Sequence, residues 1–147
     1  MDWLFDPFGP GALDWTDHLE WALLPLRLVV GYVMFDSGRG KWARGISGTG
    51  EWFRGMGFPA PQALARFVAT VELVGGTLLM LGLLTHLAAL AIAGNMVVAA
   101  WTQKVKLHAP FQGGDVQGYE LDVLLAAPAV TLAIGGGGPL SLDALFP

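Results

Sequence analysis

The chain has 147 residues, of which 54% are apolar and only 14% are charged, with a formal net charge of −4 at pH 7. This composition and a mean hydropathy of +0.54 are unlike those of water-soluble domains and indicate a membrane protein. The chain has no cysteine, which excludes disulfides, thiolate metal sites and dithiol redox chemistry. Any electron-transfer role must therefore use a bound cofactor or a quinone.

The N-terminal segment, residues 1–17, is acidic and aromatic. It has no Lys or Arg and no short apolar core before a small-residue cleavage site, so it does not resemble a signal peptide and is expected to remain in the mature protein. We interpret it as an outward-facing interfacial arm that either anchors in the bilayer interface or docks on another subunit. The arm precedes a membrane domain predicted over residues 18–147.

Four apolar segments follow, which predict an all-α fold, a polytopic bundle of four transmembrane helices. A hydrocarbon core of about 30 Å needs roughly 20 apolar residues per helix. The predicted spans are residues 18–38, 61–84, 87–101 and 119–134. The connection at residues 39–59 mixes Gly, Trp, Phe and charge, which is typical of a folded interfacial loop or short helix.

Two connections restrict how these spans can pack. Only Thr85 and His86 separate the second and third spans, so these two should form a tight antiparallel hairpin. The four glycines at 135–138 and Pro139 should end the fourth span and leave the following tail at the surface. Glycines within and beside the second and third spans should permit close helix packing, namely Gly75, Gly76, Gly82 and Gly94.

The basic residues predict the orientation of the bundle in the membrane. They concentrate on the side that holds the first and third connections, at Arg39, Lys41, Arg44, Arg54, Arg66, Lys104 and Lys106. Under the positive-inside rule, these connections face the cytoplasm and both termini lie on the outer side.

Two opposite charges stand out inside the apolar segments, Arg27 in the first span and Glu72 in the second. Unpaired charge at bilayer depth is costly, and counting residues from the span ends puts both near the midplane, so we expect a pair. Asn95 in the third span has the same predicted depth and should hydrogen-bond one of them. These groups either hold the helices together, or line a pocket for a quinone headgroup or a proton path.

A second polar cluster is predicted near the cytoplasmic side. His108 and Tyr119 could donate hydrogen bonds to the carbonyl oxygens of a headgroup, with Glu120 as a proton acceptor. The competing interpretation is that Glu120 and Asp122 favour the positive end of the fourth helix, or pair with the basic loops. The three histidines fall on different connections, so neither a metal site nor a haem is predicted. No nucleic-acid patch is present.

The residues resemble those of the DoxX family of small bacterial and archaeal membrane proteins from about Leu23 onward. The resemblance rests on LLPLRLVVGYVMFDSGRGKW at 23–42, VELVGG around Glu72, the LGLLT turn ending at Thr85, GYE at 118–120 and GPLSLDAL at 138–145. Arg27 matches the arginine that the family has in its first span. One departure is that Ser37-Gly38 stands where the family usually has His-Gly.

The resemblance implies a location in the prokaryotic cytoplasmic membrane and one of several functions. Some DoxX proteins are membrane subunits of thiosulfate:quinone oxidoreductases, and others resemble components of oxidoreductase complexes. Our leading hypothesis is a subunit of such a complex with a quinone-proximal site or anchor formed by Arg27, Glu72 and Asn95, and by His108, Tyr119 and Glu120. Catalytic residues, and whether the subunit is itself catalytic, stay unassigned.

Two other functions remain open at this stage. A structural accessory subunit would dock on a larger membrane complex through the N-terminal arm and its helix faces. A small proton-coupled transporter would need a hydrated path between the two polar clusters, and the chain shows no inverted repeat to favour it. The expected partners are the bilayer and other membrane subunits, and a homo-oligomer remains open.

Overall fold

A computed structural model describes residues 20–114 and 117–145 of the chain. These residues form five α-helices and no strand: α1 Leu23–Arg44, α2 Ile46–Gly55, α3 Pro61–Leu81, α4 Thr85–Trp101 and α5 Glu120–Gly135. A π-helical turn, Thr102–Lys106, extends α4, and a short 3-10 helix, Leu142–Leu145, follows α5. The predicted arm and His18 lie outside the described residues.

Four of these helices correspond to the four predicted spans, and the differences lie at their ends. Helix α1 does not end at Gly38 but continues to Arg44, so Lys41 belongs to a helix and not to the first connection. The rest of that connection contains α2, which confirms a folded element there. Helix α5 ends at Gly135, as the glycine run predicts, and Gly136 and Gly138 both adopt positive φ angles.

Helices α1 and α3 form a closely packed antiparallel pair through glycines. A Cβ atom added to Gly31 would lie 2.9 Å from the carbonyl oxygen of Gly76 and 2.8 Å from the side chain of Met80. One added to Gly38 would lie 2.9 Å from the carbonyl oxygen of Ala69. Since real Cβ atoms do not approach other atoms so closely, these contacts fix the register of the two helices.

The remaining contacts complete the bundle, with α4 packed on α3 and on α5. The predicted tight packing is confirmed at Gly75, where an added Cβ would lie 3.2 Å from Ile92 of α4. It is wrong at Gly94, where an added Cβ would meet nothing within 4 Å. The apolar core is formed by side chains from α1, α3, α4 and α5, including Val30, Met34, Leu79, Ile92 and Leu132.

The outside of the bundle also carries many apolar side chains. Large apolar side chains are exposed along the four long helices, among them Leu28, Val29, Tyr32, Phe67, Val74, Leu87, Leu90, Val97, Leu124 and Ile134. A water-soluble protein rarely exposes so continuous an apolar surface, which is instead suited to lipid. Among the residues that the structure describes, two helices are long and apolar enough to cross a membrane, α3 and α4 with its π extension.

Candidate functional site

The buried charges Arg27 and Glu72 lie at different depths in the bundle, Arg27 at one end beside Gly82 and Glu72 near the middle of α3. Arg27, 2% exposed, donates from Nη1 to the carbonyl oxygen of Gly137 and from Nη2 to that of Leu140, at 2.8 Å. Its Nε has no hydrogen-bond partner among the described residues. The guanidinium is next to Gly82, where an added Cβ would overlap it. The expected pairing of Arg27 with Glu72 is therefore wrong.

The packing of α1 on α3 explains why that expectation fails. Because Gly38 lies against Ala69 and Leu73, Glu72 is level with the C-terminal half of α1. Arg27 is instead level with Gly82, ten residues beyond Glu72 in the sequence and therefore about 15 Å away along the helix axis. The residue count from the predicted span ends placed Arg27 too deep, since α1 begins at Leu23 and extends to Arg44.

Lys41 is the cation that neutralises Glu72. Its Nζ lies 2.5 Å from Oε2 of Glu72 and 2.9 Å from Oγ of Ser37. Asn95 donates from Nδ2 to the other carboxylate oxygen of Glu72, at 3.3 Å, so this predicted contact is confirmed. Glu72 is 4% exposed and is held by side chains from both α1 and α4.

The sequence does not predict Lys41 as the partner of Glu72, because the predicted first span ends at Gly38 and Lys41 counts among the basic residues on the cytoplasmic side. The signal that could have found it is the spacing of Ser37 and Lys41, which are four residues apart and share a helix face. A lysine one turn beyond a buried segment can extend back along the helix toward an acidic partner, with its aliphatic stem on apolar surface.

A cavity of about 780 Å³ adjoins this polar group. It lies at the end of the bundle that carries α2, here named the α2 end, and that helix contributes Trp52 and Phe53 to its lining. Glu72, Lys41 and Asn95 are among its polar lining residues, and its apolar ones include Met34, Phe58, Val68, Met96 and Leu125. Its volume is in the range of small-molecule sites, which combine an apolar lining with a few polar groups.

Helices α4 and α5 add a second polar group to the cavity. Asp122, 8% exposed, accepts a hydrogen bond of 2.6 Å from Nε2 of Gln103. Gln103 belongs to the π-helical turn that extends α4, and such turns are frequent at functional sites. Thr102, also in the lining, donates to the carbonyl oxygen of Val98. The sequence predicts that Asp122 favours the positive end of the helix dipole or pairs with a basic loop, and it does not indicate a cavity beside this residue.

The other predicted site residues are not brought to this cavity. His108 is exposed and adopts a φ of 51°, and Tyr119 packs its ring against Phe111 with centroids 5.3 Å apart. Glu120 accepts a hydrogen bond from the backbone of Gly113, at 3.4 Å. None of the three lines the cavity. Their part in a cofactor site stays a prediction.

The opposite end of the bundle, here named the tail end after the 3-10 helix Leu142–Leu145, is held by its own polar contacts. The carboxylate of Asp143 accepts hydrogen bonds from the backbone amides of Leu84, at 2.7 Å, and Thr85, at 2.8 Å, where α4 begins. Burial acts to raise the pKa of Asp143, but these hydrogen bonds and the nearby His86 hold it below its ordinary value. The tail is therefore bonded to the α3–α4 turn and not merely placed at the surface.

Comparison with known proteins identifies the family of this chain. The DoxX family profile matches residues 22–105, more than half of the sequence, and the chain belongs to this family. It is 36% identical to "Putative oxidoreductase CatD" of Bacillus subtilis over 84% of this chain and 86% of that protein. It is 32% identical to "Uncharacterized membrane protein Rv3486" of Mycobacterium tuberculosis over 92% and 90% of the two chains. No solved structure matches.

Proposed function

We propose that this DoxX protein is a membrane subunit of an oxidoreductase complex and binds a quinone headgroup in the cavity beside Glu72. The observation that carries the proposal is the buried group of Glu72, Lys41 and Asn95 next to open space lined by aromatic and apolar side chains. The similarity to a protein named as an oxidoreductase supports the redox context. The subunit itself holds no redox centre in this proposal, and electrons come from a partner.

The cavity chemistry suits a quinone, which is an apolar ring with two carbonyl oxygens. Lys41 and Asn95 are hydrogen-bond donors, and each uses some of its N–H groups on the protein. Met34, Phe53 and Met96 supply polarisable surface for the ring. Glu72 orients both donors and is placed to accept a proton near the ligand.

We also propose the membrane arrangement that the sequence predicts, with α1, α3, α4 and α5 as four spans and the α2 end facing the cytoplasm. In support, exposed aromatic residues accompany the basic ones at the α2 end, with Trp42, Trp52 and Trp101 on the same side as Arg44 and Arg54. The helix faces are apolar enough for lipid, and both termini then lie outside.

The binding of a short-tailed quinone tests the proposed site. The purified chain in lipid nanodiscs would be dialysed to equilibrium against decylubiquinone and against a short-tailed naphthoquinone, with empty nanodiscs as the partition blank. We expect saturable binding by the wild type of at least one of the two. We expect affinity at least tenfold lower for Glu72→Gln, which weakens the hold on Lys41 and Asn95. The matched control is Glu51→Gln, which also removes one carboxylate. Glu51 forms an exposed ion pair with Arg54 and does not line the cavity.

Absence of saturable binding to the folded wild type would contradict the quinone proposal. Equal loss in the Glu51 and Glu72 variants would also contradict it, since the effect would then follow net charge and not the cavity. If the wild type binds neither quinone but co-purifies with a defined larger complex, the structural accessory function replaces this one.

A further inference from the structure

The two buried carboxylates of the cavity are compensated to different degrees. Both oxygens of Glu72 accept hydrogen bonds, one from the ammonium of Lys41 and one from Asn95. Asp122 accepts one, at Oδ2 from the neutral amide of Gln103, and no other described residue donates to its second oxygen. No described Lys or Arg pairs with Asp122, and Lys41, the cation that lines the same cavity, is bonded to Glu72.

As a result, one carboxylate oxygen of Asp122 can still accept a hydrogen bond. A buried carboxylate needs several donors, or a nearby cation, to offset the loss of its hydration. Asp122 is 8% exposed and lines the cavity, so a ligand is placed to supply the missing donor. A ligand hydroxyl can donate such a bond. A carbonyl oxygen cannot, and against Asp122 it would face another acceptor.

We propose that Asp122 contacts the ligand and accepts a hydrogen bond from a ligand hydroxyl, so that the cavity binds the reduced, dihydroxy form of a quinone more tightly than the oxidised form. This inference rests on the proposed function and adds the preferred redox form and the residue that selects it. A ligand hydroxyl is also compatible with Lys41 and Asn95, because its oxygen can accept hydrogen bonds from them. The oxidised ring satisfies only these donors.

The preference has a consequence for the bound redox couple. A site that binds the quinol more tightly than the quinone makes the bound quinone easier to reduce. For a two-electron couple, a tenfold affinity ratio corresponds to a rise of about 30 mV in the midpoint potential. At this site, transfer of electrons to bound quinone would then be favoured over oxidation of bound quinol.

Comparison of the two redox forms of one ligand tests this inference. Equilibrium dialysis under anaerobic conditions would measure Kd for decylubiquinol and for decylubiquinone with wild-type protein, Asp122→Asn and the control Glu51→Gln. We expect the wild type and the control to bind the quinol at least fivefold more tightly. We expect Asp122→Asn to abolish or invert the ratio, because its carbonyl can accept from Gln103 while its amide group offers a donor to the ligand.

The outcomes separate this inference from the proposed function. Equal wild-type affinities for the two forms, or a quinol preference that persists in folded Asp122→Asn, would overturn the role of Asp122 and leave the quinone site intact. Binding of neither form by the wild type would remove both. Should Asp122→Asn fail to fold, the wild-type ratio still decides whether the cavity prefers the reduced form.

Discussion

Arg27 at the tail end and Glu72 near the middle of the bundle are both buried, yet they differ in what surrounds them. At the tail end, backbone carbonyls and the close approach of Gly82 enclose Arg27, which does not line the large cavity. Glu72 is instead paired with Lys41 and borders a cavity of about 780 Å³ that extends to the α2 end. A buried charge in an apolar segment therefore indicates a candidate binding site only where open space adjoins it.

Replacement of Arg27 should give the largest effect and should act on stability alone. Arg27→Ala removes two charge-assisted hydrogen bonds and leaves the carbonyls of Gly137 and Leu140 without this donor, so we expect a loss of about 3 kcal/mol or more. The stability of Arg27→Lys should lie between those of the wild type and Arg27→Ala, because an ammonium lacks the planar fork with which a guanidinium bonds two carbonyls at once. Thermal unfolding in detergent measures both.

An effect of Arg27 variants on ligand binding would contradict the separation of Arg27 from the cavity. Quinone affinity of the folded fraction of Arg27→Lys should equal that of the wild type. A tenfold weaker Kd with normal folded yield would show that the two ends are coupled, and that Arg27 acts on the cavity as the original pairing hypothesis implied.

Removal of the Lys41–Glu72 pair should have an intermediate effect on stability and a large one on binding. Glu72→Gln leaves a partly buried ammonium without its partner, so we expect a loss of about 1–3 kcal/mol. Lys41→Gln combined with Glu72→Gln should recover much of that stability, since neither charge is then unpaired, but should not recover quinone binding.

A charge exchange sharpens the same point. The double variant with Lys41→Glu and Glu72→Lys should be more stable than either single one, while exchange of Arg27 and Glu72 should give no recovery. Recovery in the second exchange, measured by thermal unfolding, would contradict the register described for α1 and α3.

The smallest effect is expected at the tail end from Asp143, and it should depend on pH. Asp143→Ala removes the acceptor for the first amides of α4, with a loss of about 1 kcal/mol at neutral pH. Because its pKa is lowered in the folded protein, the stability that ionised Asp143 contributes is complete above its ordinary pKa of about 3.9 and is lost as pH falls below it.

Thermal unfolding of wild type and Asp143→Ala between pH 3 and pH 7 measures this contribution. The difference in Tm should shrink toward acid pH. Glu51→Ala, in an exposed ion pair, is the control and should change Tm little at any pH. A difference for Asp143→Ala that stays constant across the range would show that the carboxylate charge does not stabilise this end.

The sequence predicted the elements of the fold better than their mutual placement. Long apolar runs locate α3 and α5 to within a few residues, since helix formation depends on local composition. The turn between α3 and α4 was predicted at Thr85 and His86, which is wrong, because α3 ends at Leu81 and α4 begins at Thr85. The register of α1 on α3 depends instead on how Gly31 and Gly38 fit against a second helix. One sequence does not contain that information, and the misplacement of Arg27 follows from it.

The sequence predicts only part of the candidate site, because the rest depends on how the helices pack together. Glu72 and Asn95 stand out as polar residues within apolar runs, and the structure brings them together. Lys41 and Asp122 lie near helix ends, where charged residues are ordinary, so only the three-dimensional packing distinguishes them. A cavity has no signature in sequence, because it is formed by what neighbouring helices leave unfilled.

The bonds of Arg27 also bear on how the protein is made. The carbonyls that satisfy its guanidinium come from residues 110 and 113 positions later in the chain. In the proposed arrangement, the ribosome therefore delivers the first span to the bilayer with an arginine that stays uncompensated until the last span has followed. A polypeptide truncated before Gly137 lacks both carbonyl acceptors of this guanidinium and therefore cannot complete the tail end.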